Sequence, residues 1–348
     1  MKRILLIVIL TLSVPGIMAQ TEHVKTVHEQ YQVSENAKMI VDSEFCDVVF
    51  ISGNSNEVEI NIQMSVTTKK EEDAEKYFDR WKFNMEKNVS GNVVLNASLR
   101  SKKSSNNDNK TKCVVHISLP QHMSVDISTD FGSVQFDEHL GNVDLELSFG
   151  EFDANLLSGE KINLEIDFSK ATIRNHIKQA TIELSYSTLN LESIDNLKLN
   201  TSFSTINLEQ VGQLQTESSY DKINIENAVN LIVDADFTNV KLDHLTDNIK
   251  GTFSYGSCEV ENFGKQVKNV DIRADFTSVK IRNMNGVTFK TVDISSEFAG
   301  SKIDIANHLD FANTKTKKDY ITKYQKTNPN ATGEMLFIKT SYGSIRID

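Results

Sequence analysis

Five acidic residues at regular spacing are the main candidates in this chain for ligand chemistry. They recur every 17 or 18 residues and are Glu192, Glu209, Glu226, Asp243 and Glu261. Flexible carboxylates are common protein ligands of calcium, which takes several oxygen atoms. A row of these side chains could therefore bind divalent cations along its length. The competing interpretation, which we prefer, is a solvated face whose carboxylates splay apart, because like charges in register destabilise a sheet.

Other residues that could do chemistry lack the spacing that catalysis or metal binding requires. The chain has no zinc-type His/Cys spacing, no phosphate-binding glycine loop and no Gly-x-Ser-x-Gly elbow. An active site needs a local cluster of unlike groups, such as carboxylates beside arginines. After Phe131 there are four arginines, of which Arg273 and Arg282 lie in one region. We therefore predict no enzyme and no cofactor, and keep a polysaccharide-active β-helix enzyme as an alternative.

The acidic row is part of a longer repeat marked by an aromatic residue. Its twelve aromatic positions are Phe45, Phe131, Phe149, Phe168, Tyr186, Phe203, Tyr220, Phe237, Tyr255, Phe276, Phe298 and Tyr342. From Phe131 to Phe298 successive positions are 17 to 22 residues apart. A unit this short cannot bury a core alone, so the period indicates stacked coils.

Within each repeat, apolar or small residues alternate with polar ones. Around Phe168 the apolar set is Ile162, Leu164, Ile166, Ala171 and Ile173. Alternation of period two indicates a strand with one buried face. The phase breaks just after the aromatic residue, which predicts a bend there, and we place the aromatic ring itself in the core. The sequence predicts an all-β fold, a single-stack β-solenoid of the β-helix type with coils of about 17 to 22 residues.

Two polar segments interrupt the repeat, at about residues 54–118 and 306–333. The first has Ala74, Phe78 and Trp81 on one helical face, which predicts a short helix over 71–81, and a hairpin over 83–99 follows. Solenoid ends must be protected from edge pairing. Both insertions are therefore predicted to be caps, the second covering the last coil at 336–348.

The N-terminus has the pattern of an export signal. Lys2 and Arg3 precede a short apolar run, and the sequence up to Ala19 resembles a signal-peptidase site. We predict a signal peptide at 1–19 and one solenoid domain at 20–348, located in the periplasm, on the outer cell surface or in the medium, with no later membrane span. Removing Lys2 and Arg3, with no acidic residue, changes the net charge from −11 to −13. So acidic a chain repels nucleic acid.

Two smaller sets of residues are structural candidates. Three asparagines at equivalent positions, Asn190, Asn207 and Asn224, predict a hydrogen-bonded ladder along the stack. Cys258 stands where other coils have an apolar residue, so it is predicted to be a buried small hydrophobe. Cys46 and Cys113 flank the first insertion and are candidates for a disulfide in an oxidising compartment, if the fold brings them together.

The chain resembles a known family in its export signal, its helical insertion and a recurring triplet. The triplet occurs as Ser148-Phe149-Gly150, Ser254-Tyr255-Gly256 and Ser341-Tyr342-Gly343. The family is the exported bacterial putative adhesin family with a GIN-like auto-transporter adhesin head domain. The resemblance covers the mature chain and implies a non-catalytic β-solenoid. The resemblance implies an adhesin or an envelope scaffold that binds an envelope protein or a surface glycan. End-to-end self-association is a further possibility that the sequence leaves open. A calcium-binding surface protein is the further alternative.

Overall fold

The computed structural model describes residues 21–100, 111–298 and 302–348. The predicted signal peptide therefore lies outside the described residues. The chain forms two compact units, Met1–Asn175 and His176–Asp348. Each is built from coils, and a coil here means two strands joined by a corner at one of the twelve aromatic residues, after which it is named.

Unit 1 begins with the strands of the first coil and of the first insertion. They are β1 (Thr21–Gln32), β2 (Lys38–Glu44), β3 (Asp47–Gly53), β4 (Glu57–Thr68), β5 (Trp81–Lys87), β6 (Val93–Leu99) and β7 (Thr111–Pro120), with helix α1 (Glu71–Phe78) between β4 and β5. The regular coils follow, with β8 (Ser124–Asp130), β9 (Ser133–His139), β10 (Val143–Ser148), β11 (Glu151–Leu157), β12 (Ile162–Asp167) and the start of β13 (Lys170–Ser185).

The coils of unit 1 stack in parallel and in register. On one side β2, β8, β10 and β12 are neighbours, and Val125 of β8 pairs with both Met39 and Val143. On the other side β3, β9, β11 and β13 are neighbours. Because side chains alternate along each strand, the apolar positions of successive coils meet in one core. The predicted all-β solenoid is confirmed here.

The first insertion extends the sheets of the Phe45 coil. Strand β7 pairs with β3 in parallel and with β4 in antiparallel orientation, and β1 pairs with β4. Strand β6 pairs with β2 and forms the predicted hairpin with β5. Helix α1 packs against β4 and buries Ala74, Tyr77 and Phe78. The helix ends at Phe78, so the expectation that it reaches Trp81 is wrong; Trp81 is buried at the start of β5.

Unit 2 contains longer strands, since several coils run through their return turn without interruption. The strands are β14 (Thr188–Ser202), β15 (Thr205–Ser219), β16 (Lys222–Asp236), β17 (Asn239–Ser254), β18 (Ser257–Phe263), β19 (Asn269–Asp275), β20 (Ser278–Asn283), β21 (Phe289–Glu297), β22 (Lys302–Ile305), β23 (Lys315–Lys318), β24 (Ile321–Thr327), β25 (Gly333–Ser341) and β26 (Ser344–Ile347). Pairing from β14 to β16 is parallel and in register.

The last coil of the chain is not the last coil of the stack. Strand β25 pairs in parallel with β19 on one side and β21 on the other, and β26 lies between β20 and β22. The Tyr342 coil is thus inserted between the Phe276 and Phe298 coils. The expectation that 336–348 forms the exposed end is wrong. The last coil strand on this side is β21, and β24 of the second insertion pairs with its outer edge in antiparallel orientation.

Candidate functional site

The twelve aromatic residues form the corners of the coils and point outward. All twelve have left-handed backbone conformations, with φ between 49° and 80°. The prediction that these rings lie in the core is wrong: Phe203 is 49% exposed. The bend occurs at the aromatic residue itself, so this residue and the one before it both face out. The residue after it, such as Ser204, is buried and restarts the inward alternation.

In unit 2 the outward rings form one continuous row, which we call the aromatic ladder. In spatial order its rings are Tyr186, Phe203, Tyr220, Phe237, Tyr255, Phe276, Tyr342 and Phe298. Neighbouring centroids are 4.3–4.9 Å apart, and the planes differ by 2° to 9°. With coils rising about 4.8 Å each, the row is roughly 33 Å long.

Stacking helps to stabilise an otherwise unfavourable corner. A left-handed conformation costs a non-glycine residue about 1–2 kcal/mol, whereas a favourable aromatic pair contributes about 0.5–1.5 kcal/mol beyond burial. An internal ring such as Phe203 has two stacked neighbours. The faces of the rings are therefore covered by one another, and the surface presents ring edges.

Tyrosine and phenylalanine alternate strictly along the ladder. Sequence order conceals this pattern because Phe276 and Phe298 follow each other along the chain, and only the insertion of the Tyr342 coil separates them. In the described part of the chain, the hydroxyls of Tyr220, Tyr255 and Tyr342 have no hydrogen-bond partner. Phenol oxygens therefore recur every two coils, about 9.6 Å apart.

Polar side chains flank the ladder with the same two-coil period. The residue before each tyrosine from Tyr220 onward is serine, and the residue before each intervening phenylalanine is acidic. In spatial order this row is Ser219, Asp236, Ser254, Asp275, Ser341 and Glu297. Carboxylates are thus separated by an intervening serine coil, which reduces their mutual repulsion. The ladder is an apolar strip beside regularly spaced hydrogen-bonding groups.

Unit 1 has a shorter row made of phenylalanine alone. The rings of Phe45, Phe131, Phe149 and Phe168 follow one another at 5.0 Å, and each is about half exposed. This row has the same corner geometry and offers no phenol oxygen. It provides an internal comparison for any role that depends on the hydroxyls.

The five acidic residues named at the start lie in successive coils, within strands β14 to β18. Each occupies a position that the parallel pairing of neighbouring strands skips. Asp243 is paired with Lys241 at 3.0 Å, and Glu261 with Arg282 at 3.1 Å. No group of three or more His, Cys, Asp or Glu residues within 21–100, 111–298 and 302–348 is arranged to hold a metal ion. Calcium binding by this row stays a prediction.

The asparagine ladder is confirmed. Nδ2 of Asn207 donates to Oδ1 of Asn190 at 2.9 Å, and Asn224 donates to Asn207 at 2.8 Å. Sequence reasoning missed a second ladder at the return turn, where Asn248 donates to Asn230 and Asn269 to Asn248. Its spacings are 18 and 21 residues, which follow the same coil repeat.

A buried hydrogen-bonded row runs behind the aromatic corners. The Ser204 hydroxyl accepts from the backbone N–H of Ser187 and donates to the carbonyl oxygen of Ser202. Asp221 occupies the equivalent position in the next coil and is 4% exposed. Its carboxylate accepts from the Thr201 and Ser218 hydroxyls, both at 2.6 Å, and from the Ser204 N–H. Donors from the coil before and from its own coil thus satisfy this buried charge.

The two arginines considered for catalysis belong to separate surface groups. Arg282 is paired with Glu259 and Glu261, whereas Arg273 lies over the ring of Phe337 and beside Asp271. Both are ordinary solvent-facing contacts, which contribute little to stability. The neutral, regular ladder is the surface with the clearest capacity to bind a ligand.

The fold and this surface define an all-β solenoid with an exposed aromatic ladder. No family model and no curated protein matches the chain. Similar solved structures include a putative adhesin of Parabacteroides distasonis, with 15% identity, coverage of 75% of this chain and 97% of that one, and a TM-score of 0.35. A putative adhesin of Parabacteroides merdae has 16% identity, coverage of 74% and 95%, and a TM-score of 0.30.

A further similar structure is a putative lipid binding protein of Parabacteroides distasonis, with 9% identity, coverage of 93% and 96%, and a TM-score of 0.31. The names of the first two agree with the family that the sequence resembles. Within the described residues, no helix has the length and apolar character needed to cross a bilayer.

Proposed function

We propose that this chain is a non-catalytic exported binding protein whose aromatic ladder in unit 2 holds a neutral, linear surface glycan. The observation that carries the proposal is the strict alternation of half-exposed tyrosine and phenylalanine rings over eight coils. A straight row with a repeating pattern suits a ligand that is itself linear and repetitive. A compact molecule would contact only a small part of such a row.

The polar groups beside the ladder match the chemistry of sugar hydroxyls. Tyrosine hydroxyls donate and accept hydrogen bonds, and serine hydroxyls do the same. The carboxylates of Asp236 and Asp275 accept the charge-assisted hydrogen bonds that hydroxyl donors form, whereas Glu297 is paired with Lys339 at 2.9 Å. The exposed ring edges supply apolar area between these groups. Such alternation of apolar and polar contacts is the general composition of a ligand-binding surface.

The period of the ladder favours a polymer with a disaccharide repeat. In a β-1,4-linked chain each sugar is turned over relative to the last, so every second sugar presents the same groups. The ladder likewise repeats every second coil. Acidic residues beside the phenylalanines and a net charge of −13 after removal of residues 1–19 repel anionic polymers, which favours a neutral polymer over an anionic one.

Binding to insoluble neutral polysaccharides, β-1,4-glucan and chitin among them, tests this function. The wild type is compared with the triple variant Y220F/Y255F/Y342F, which removes three hydroxyls and keeps every stacked ring. Three lost hydrogen bonds of about 0.5–1.5 kcal/mol each predict at least a tenfold loss of affinity. The melting temperature should stay unchanged. A wild-type protein that binds no neutral glycan, but recovers an envelope protein from extracts, would point to a protein partner instead.

Export itself is also part of the proposal, since it rests on residues 1–19. Cell fractionation of the full-length chain, compared with a version in which Lys2 and Arg3 are replaced by glutamate, tests it. The wild-type protein should appear outside the cytoplasm as a shortened chain. The variant should remain inside at full length.

A further inference from the structure

Cys46 and Cys113 meet in the core of unit 1, although 67 residues separate them in sequence. Cys46 follows the corner residue Phe45, and Cys113 lies in β7. Asp47 pairs with Val114 in the parallel register of β3 and β7, which places the two cysteines opposite each other one position earlier. Their Sγ atoms are 2.7 Å apart, and the residues are 0% and 2% exposed.

From this juxtaposition we propose that Cys46 and Cys113 form a structural disulfide that ties the first insertion to the Phe45 corner. The oxidant is a disulfide, either oxidised glutathione or the disulfide of a thiol oxidoreductase. The two cysteines lose their thiol hydrogens and join through one S–S bond. The S–S bond of the oxidant is reduced to two thiols, which take up the two hydrogens, so atoms and electrons balance.

The position of this bond gives it a specific structural role. Strand β7 is the link between the coil strand β3 and the antiparallel strands β4 and β1. A covalent bond at its start fixes the whole insertion to the first coil, because β7 can no longer leave β3. Burial of both sulfur atoms also shields the bond from reducing agents.

The same burial limits when the bond can form. The hydrogen bond with Cys113, followed by burial, raises the pKa of Cys46 well above its usual range. Since the thiolate is the reactive form, the packed, reduced pair reacts slowly. Oxidation therefore accompanies folding, before β7 covers the corner.

Cys258 provides the internal control. It is 1% exposed, and burial raises the pKa of its thiol to about 12. It lies in β18 of unit 2, and the described residues include no other cysteine in that unit. It stays a free thiol whatever the state of the other two.

The number of free thiols per chain tests the disulfide. The full chain is refolded with oxidised and reduced glutathione, denatured without reductant, labelled with a maleimide and weighed. One label per chain is expected for the wild type, and three after prior reduction. The C258S variant should take no label before reduction, and C46S and C113S should each take two. Three labels on the oxidised wild-type protein would overturn the disulfide.

Digestion without reductant provides a second measurement that does not depend on a folded variant. Peptides containing Cys46 and Cys113 should appear as one linked mass, which separates on reduction. Reduction should also lower the melting temperature of the wild type and leave that of the C46S/C113S double variant unchanged. A linked mass that contains Cys258, or an equal shift in both proteins, would overturn the assignment.

Discussion

The ring of Phe276 stacks on that of Tyr342, with centroids 4.8 Å apart, although Phe298 is the next aromatic corner along the chain. The C-terminal coil enters the stack there and separates two phenylalanine corners. This exchange of order produces the alternation of tyrosine and phenylalanine in the ladder. It also leaves the Phe298 coil, and not the C-terminal coil, beside the second insertion.

Substitutions at Phe203 should distinguish a left-handed corner from a core position. F203A loses two stacked neighbours and should cost about 1–3 kcal/mol. F203G should be about 0.5–1 kcal/mol more stable than F203A, because glycine relieves the left-handed strain by more than its entropy costs. L208A, at a site 2% exposed, should cost about 2–5 kcal/mol.

Urea denaturation measures these differences, and Gln215 supplies the matched control. It is exposed within β15, so Q215G should be less stable than Q215A, because glycine loses more conformational freedom in a strand than alanine does. If glycine were also the worse residue at position 203, the corner would not need a left-handed conformation.

Replacing Asp221 with serine should destabilise the protein less than replacing it with alanine. D221A leaves the Ser204 N–H and the Thr201 hydroxyl without their acceptor, and each buried unsatisfied group costs about 1–3 kcal/mol. The Ser218 hydroxyl would keep its contact with Thr238. D221S reproduces the side chain that Ser204 has in the coil before, so it should recover part of the loss. Thermal unfolding of both variants checks the order. A D221A protein as stable as D221S would show that these bonds contribute nothing.

His139 should make the protein less stable in acid. Burial lowers the pKa of this fully buried imidazole to about 4 from 6.5. The folded protein therefore favours the neutral imidazole. The stability that depends on this neutral form is fully present above about pH 6.5. As pH falls towards 4, the unfolded chain takes up the proton first, so stability declines by about 3 kcal/mol in total.

The variant H139Q keeps a polar group near Ser52 and cannot titrate. Chemical denaturation at about pH 7 and about pH 4.5 should show a loss about 2–3 kcal/mol larger for the wild type than for H139Q. Equal losses in the two proteins would mean that His139 is protonated in the fold.

The second insertion should protect the end of the stack. Its β24 covers the edge of β21, and the outer strand β23 carries exposed Lys315, Lys317 and Lys318. Charged edge strands resist pairing with other chains. Replacing 313–330 by a short Gly/Ser linker should leave β21 open and yield end-to-end oligomers in light scattering, with β-type circular dichroism retained. A deletion variant that stays monomeric at high concentration would show that the insertion serves another purpose.

Sequence periodicity predicts the solenoid well because each coil repeats the same inward alternation, and the Asn190 to Asn224 ladder follows from that register. The direction of Phe203 could not be obtained this way. Large aromatic residues are usually buried, and a left-handed conformation at a non-glycine residue leaves no pattern beyond one phase break. The position of the Tyr342 coil within the stack could not be predicted either. Residue spacing gives the order of the coils along the chain and not their order in the stack.

A length series of soluble neutral oligosaccharides measures binding along the ladder. Calorimetric affinity should rise with each added disaccharide until the oligomer spans the roughly 33 Å row, and the rise should be lost in Y220F/Y255F/Y342F. These three substitutions leave the phenylalanine row of unit 1 unaltered, so any loss of binding is assigned to the ladder of unit 2. An affinity already complete with one disaccharide, and equal in wild type and triple variant, would contradict a role for the ladder in holding a linear glycan.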